Sequence, residues 1–251
     1  METAAIPIYL DWSFWAVVVA AVAIILSQLP PIHILIKKAK IDLELYSKIS
    51  ITHKVGNPNL QLHLIVGNIG GKKIRIKDIN ATIKRDGKPL ITLPAQNYLQ
   101  NQTDQNTVLF TTFSLKPGDE WAHIVNLLNF FNREEESEYR KLEAKMQSDF
   151  RDKQSQLKEE PKAPIELDTS VVDPFCTFFD KHFIWRAGEY LLKVNIIADQ
   201  DAANVTKTYR FTLFESHEEQ LKAITEHFKF GGGIWWDLKI QTNVILEIKE
   251  A

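Results

Sequence analysis

The segment DPFCTFFDKHFIW, Asp173 to Trp185, brings together Cys176, Asp180 and His182, the residue types from which a nucleophilic centre is built. A thiol, an imidazole and a carboxylate act together only when the base reaches the sulfur and a third group orients the base. Adjacency in sequence supplies neither. Phe175, Phe178, Phe179, Phe183 and Trp185 are interleaved with them. That density of rings predicts core packing or an apolar contact surface.

A second stretch, GNIGGKK at Gly67 to Lys73, invites a phosphate-loop reading. That loop needs four residues between its glycines, then Lys and a hydroxyl residue that reaches magnesium. Here three residues separate Gly67 from Gly71, and Lys73 stands where the hydroxyl belongs. The stretch lies between two strand patterns with no helix N-terminus to hold phosphate, so it reads as a turn. The seven histidines are scattered, with no HExxH, no CxxC and no close pair at helical spacing. His217 and His227 fall on different faces of the last helix. The expectation is no catalytic residue, no cofactor and no metal site.

The elements that hold these residues are mostly strands. Apolar residues alternate in Ile41–Leu43–Leu45, Leu60–Leu62–Leu64–Val66, Ile74–Ile76 and, after a one-residue slip, Ile79–Ala81–Ile83. A phase slip inside such a run predicts a bulge. Asp86–Gly87 is a two-residue hairpin signal. Further runs cover 108–115, 190–198 and 205–213, and a long one carries Trp236, Leu238, Ile240, Thr242, Val244, Leu246 and Ile248. Period-2 patterning buries one face and wets the other, which favours an antiparallel sandwich.

Two helical patterns interrupt the strands. Tyr139, Leu142, Met146, Phe150 and Leu157 form a stripe with helical spacing inside a charged stretch, about 131–160, that ends at Pro161 and Pro164. It rests on its own domain or projects as an arm for a partner. Whether 121–131 ends a strand or opens this helix stays open. The second pattern begins with the capping-box sequence SHEE at Ser216 and ends at Gly231 to Gly233.

Near its start the chain reads WSFWAVVVAAVAIILSQLPPIHILIKKAK, with no charge from Trp12 to Leu29. Eighteen helical residues cover about 27 Å, close to the ~30 Å hydrocarbon core. No Lys or Arg precedes the run, and SQLPP is a poor cleavage site. The expectation is a short tail at 1–11, a transmembrane helix at 12–36 and a soluble domain at 41–251. Lys37, Lys38 and Lys40 follow the span. The positive-inside rule then puts the N-terminus outside and the domain in the cytoplasm. The Asn-X-Thr sequences at Asn80, Asn101 and Asn204 point to a lumenal or periplasmic domain only in a glycosylating host. Ala16, Ala20, Ala23 and Ser27 line one face of the span, a small-residue pattern that favours close packing on a second helix, from another copy or a membrane-protein partner.

The whole chain of 251 residues carries a net charge of −2 and a single cysteine, so it exerts no general pull on nucleic acid and forms no internal disulfide. One region departs from that balance. Lys72, Lys73, Arg75, Lys77, Lys84, Arg85 and Lys88 face only Asp78 and Asp86 in sequence, a local charge of +5. Solvated sheet or a guarded edge strand explains this. So does contact with anionic lipid headgroups, which a tethered domain favours over nucleic acid. The aromatics expected for single-strand binding are missing there.

LQLHLIVGNIGGKKIRIKDI, LKPGDEW, and AGEYLLKV followed by TKTYRFTLF resemble the strand-and-turn rhythm of immunoglobulin-like β-sandwiches over residues 41–214, with a helical insertion. The Cys pair of that family is absent. The resemblance implies a binding or scaffolding module and carries no site residues. The sequence therefore predicts a mainly β protein: one membrane helix, an antiparallel sandwich, a charged helical insertion, and a C-terminal helix plus strand at 216–248. Its expected role is a membrane-anchored, non-catalytic module. The alternative is an accessory subunit of a larger membrane complex for transport, secretion or defence, with an enzyme third.

Overall fold

The computed structural model describes residues 12–28, 37–101, 103–104, 106–157, 164–237, 240 and 242–251. The strands pair antiparallel, as period-2 patterning requires. β1 (Ile41–Leu45) and β2 (Lys48–Lys54) lie end to end along one edge of β3 (Asn57–Asn68), and β8 (Glu120–Leu128) takes the other edge. β11 (Val244–Glu247) adds to β2. In the other half, β4 (Ile74–Arg85) sits between β5 (Lys88–Leu99) and β9 (Gly188–Ala198). β10 (Val205–Leu213) and β12 (Lys249–Glu250) follow outward from β9. β6 (Val108–Leu109) pairs with β5, and β7 (Phe113–Leu115) with β4.

β5 joins the halves. Its Lys88–Pro94 part pairs with β4 and its Ala95–Leu99 part with β8. The path is thus one continuous antiparallel sheet, β11-β2-β3-β8-β5-β4-β9-β10-β12, in a sandwich-like arrangement. β1 and β11 come back against β10, so the sheet folds over one shared core. Leu60, Leu62, Leu64 and Val66 of β3 are fully buried, as are Ile79, Ala81 and Ile83 of β4. Each large aliphatic side chain so buried contributes about 1.5–3 kcal/mol. The bulge falls where the phase slip puts it, between Ile76 and Asp78 on the β9 side of β4. Asp86 and Gly87 turn the β4–β5 hairpin at φ +49° and +78°.

The charged insertion is α2, Arg133–Ser155. Asn132 caps it: its side chain accepts from the Glu134 and Glu135 amides, and the Glu135 carboxylate accepts from the Asn132 amide. α2 rests on its own domain. Tyr139 and Met146 are buried, and only Leu157 at the end of the stripe is exposed. It packs on α3, Thr169–His182, a helix that periodicity alone does not pick out. Pro174 and two β-branched valines weaken its helical signal. The backbone of α3 lies over the β2–β3 turn, where a Cβ on Gly56 (φ +83°) would fall 2.4 Å from the Phe179 carbonyl oxygen.

Two expectations at the C-terminal side need correction. The helix there is two pieces, α4 (Glu215–Lys222) and α5 (Thr225–Phe228), with Phe214, not Ser216, at the first cap. Among the described residues of the long strand expected from Trp236 to Ile248, only β11 is strand, and β12 follows beyond that range. Gly231 and Gly233 take positive φ, the Trp235 ring lies over Gly231, and the Gly233 amide donates to the Trp236 carbonyl, so local turns consume the backbone groups a strand would pair.

The expected membrane helix at 12–36 is described only over its first part and is not supported as a complete span. The described helix, α1, runs Trp12–Gln28 and has 17 residues, about 26 Å of axial rise. Among the described residues no helix is long and apolar enough to cross a membrane. Residues 1–11 and 29–36 lie outside the described residues.

Candidate functional site

The three side chains that could have formed a nucleophilic centre are directed to separate partners. Cys176 is half-buried; burial pushes its thiol up, and Asp173 and Asp180 add to that, so the thiol stays protonated. Asp180 pairs with Arg186 at 3.3 Å. The His182 ring lies against Phe178 and Phe131, with centroids 4.5 and 5.0 Å away. Burial, chiefly, holds His182 below its ordinary value. The aromatics between them are core: Phe175, Phe178, Phe179, Phe183 and Trp185 are all buried. Among the described residues, no group of three or more His, Cys, Asp or Glu side chains could hold a metal ion.

A built surface lies instead at the end of the domain where the chain arrives from α1. Three segments meet at this proximal end: 37–40, the β3–β4 turn and the β7–β8 turn. Asn68, 1% exposed, ties them together. Its Nδ2 donates to the Lys72 and Leu115 carbonyls at 2.8 and 3.0 Å, and its Oδ1 accepts from the Gly70 amide at 3.0 Å. Its backbone bonds Asp119 and Gly118 of the β7–β8 turn. The Ile69 and Gly70 amides donate to the Lys40 carbonyl, and the Gly71 amide to that of Lys38. The contact is too close for a side chain: a Cβ on Gly70 would stand 2.5 Å from both the Lys38 oxygen and the Lys40 nitrogen. The GNIGGKK stretch is therefore a turn whose glycine admits the arriving strand.

This junction sorts the sequence-predicted basic residues into two groups. Lys72, Lys73 and Arg75 stand at the start of β4, beside Lys37, Lys38, Lys40 and Lys116. Lys84, Arg85 and Lys88 stand at the other end of that 12-residue strand, about 35 Å away at strand rise. Lys77 is exposed at the bulge between them. The hairpin thus presents two basic ends, and the proximal one is extended by lysines far away in sequence. Ile69, 47% exposed, occupies the tip of the proximal turn.

Neither a protein-family model nor any curated protein sequence matches this chain. What the surface can do must come from its own chemistry. The proximal end holds seven basic residues (37, 38, 40, 72, 73, 75, 116) and five acidic ones (42, 119, 120, 199, 201), a net +2 in a chain of −2. Two of those acids are engaged locally: Asp119 accepts from the Lys116 amide, and Asp199 from the Arg75 amide. Arg75 in turn donates to Thr112. The lysines are left pointing to solvent from a fixed backbone. Lysine clusters of this kind attract anionic surfaces without selecting a shape.

Ala16, Ala20, Ala23 and Ser27 lie on one face of α1, all exposed, with the Ser27 hydroxyl donating to the Ile24 carbonyl.

Proposed function

We propose that this protein is a membrane-tethered, non-catalytic binding or scaffold module. The apolar N-terminal stretch inserts in a bilayer, and the lysine-flanked end of the β domain lies next to it, on the cytoplasmic side. The observation that carries this reading is α1: seventeen residues without a charge, with large side chains exposed on every side, from Trp12 (89%) and Val17 (68%) to Ile24 (63%) and Ile25 (61%). Water is a poor environment for such a surface. The resemblance to immunoglobulin-like sandwiches favours binding over catalysis. So does the use of Cys176, Asp180 and His182 in packing and ion pairing. The exposed small-residue face of α1 favours a second role as a subunit that packs on another membrane helix.

Thiol labelling tests the topology. A membrane-impermeant maleimide is applied to intact cells carrying a Ser50→Cys, Cys176→Ser variant of the full chain. The reading predicts labelling only after permeabilisation. Labelling of intact cells puts the domain on the outer face and refutes the cytoplasmic assignment.

A further inference from the structure

The two basic ends of β4 are not equivalent. At the distal end, Arg85 pairs with Asp86, whose carboxylate also accepts from the Glu189 amide, and the helices α2 to α4 lie toward that end. At the proximal end Lys37, Asp119 and Glu120 line one hollow with the exposed apolar tip Ile69, further lysines stand on the three segments that meet there, and a buried asparagine fixes the turn that bears the tip. An apolar residue held rigidly on a surface where exposed lysines outnumber acids has the chemistry of an interfacial contact. The ammonium groups meet phosphate oxygens, and the side chain between them reaches the acyl boundary.

We infer that the proximal end docks on an anionic bilayer, with Ile69 set into the interface among Lys38, Lys40, Lys72, Lys73 and Lys116. The inference deepens the tethering reading and rests on it for the proximity of the bilayer. Closeness to α1 in sequence is what singles out lipid among polyanions: the Lys38–Lys40 segment that bonds the Ile69 turn begins ten residues after the last residue of the apolar helix. Docking fixes the domain upright, with the α2–α3 helical pair at the far end from the membrane. The tether alone would leave the domain free to tumble. Each lysine at an anionic surface is worth roughly five-fold in partition.

The test uses the full chain with Cys176→Ser and Ile69→Cys, the new thiol carrying an environment-sensitive dye. It is mixed with vesicles of neutral phosphatidylcholine, or of the same lipid with a third phosphatidylserine. The expected result is flotation with both, and a dye blue-shift only with the anionic vesicles, reversed by high salt. Lys72→Glu, Lys73→Glu and Lys116→Glu together should abolish the shift, lowering interfacial occupancy by on the order of a hundred-fold. Lys84→Glu, Arg85→Glu and Lys88→Glu together should leave it unchanged. Flotation with both vesicles but an identical dye signal overturns the docking inference while the tether stands. Flotation and blue-shift with anionic vesicles alone refutes the tether while the docking surface stands. An equal loss of signal in both triple variants shows simple charge attraction and overturns the assigned surface. Tighter binding to a mixed-sequence oligonucleotide, lost in the proximal triple variant, overturns the choice of lipid.

Discussion

Replacing Asn68 tests whether the proximal end is a rigid platform. Asn68→Ala removes three hydrogen bonds at a site 1% exposed, leaving the Lys72 and Leu115 carbonyls and the Gly70 amide without their partner. A stranded buried polar group costs about 1–3 kcal/mol. Some rehydration follows because the turn is at the end of the domain, so the expected loss is about 3–5 kcal/mol. For a domain of this size, that lowers the thermal midpoint by roughly 8–15 °C. Asn68→Asp keeps the acceptor for Gly70 and loses both donor bonds, so it should lose nearly as much stability at neutral pH. Calorimetry of the full chain in mild detergent reads both. Amide exchange then locates the damage: the Ile69, Gly70 and Gly71 amides, bonded to Lys38 and Lys40, should lose protection ahead of β3 itself. A loss below ~1 kcal/mol in both variants would refute the reasoning, as would exchange that rises evenly across the sheet.

Other outcomes follow from single contacts. Gly56→Ala drives a methyl group to 2.4 Å from the Phe179 carbonyl at φ +83°; it should cost upwards of about 2 kcal/mol and detach α3, seen as new exchange at Phe183. Burial works to raise the Glu218 carboxyl, but bonds from Lys222, the Ala187 amide and Arg186 outweigh it and hold it at about 2. The depressed value stabilises the fold above the ordinary 4.5 and is lost as pH falls from there toward 2. Glu218→Gln should remove that part of the acid sensitivity, roughly 2–3 kcal/mol, in acid titrations of stability. Burial likewise holds His53 below 6.5, with Nε2 bonded to the Leu221 carbonyl and Nδ1 accepting from the Gly56 amide. The unfolded chain takes up a proton there first, so stability should fall as pH drops below 6.5, and His53→Gln should flatten that slope.

The strands were legible where side-chain alternation controls them. β3, β4, the bulge after Ile76 and the Asp86–Gly87 turn all follow from local pattern. The β2–β3 turn was not legible, because Val55 is a poor residue for φ +49°; burial of Val55 and the packing of Gly56 under α3 impose it. The alternation from Trp236 onward misled because local turns and a Trp236 indole bond to the Phe230 carbonyl compete for that backbone. Helix α3 was hidden by its proline and its rings, although Phe175, Phe178 and Phe179 do share a face. At the proximal end, the basic run was visible but not its division, since a strand carries its two ends far apart. The role of Asn68 had no local signal at all: its partners at 72 and 115 become neighbours only when β4 and β7 pair.

Tethering through the N-terminal segment is the central claim, and flotation of the full chain after alkaline carbonate extraction measures it most directly. The account predicts that the protein remains in the membrane fraction, and that Val19→Lys with Val22→Lys, two charges placed on an otherwise uncharged α1, releases it at a cost of about 2.5–3.5 kcal/mol per lysine. Release of the unaltered chain by carbonate would contradict the account.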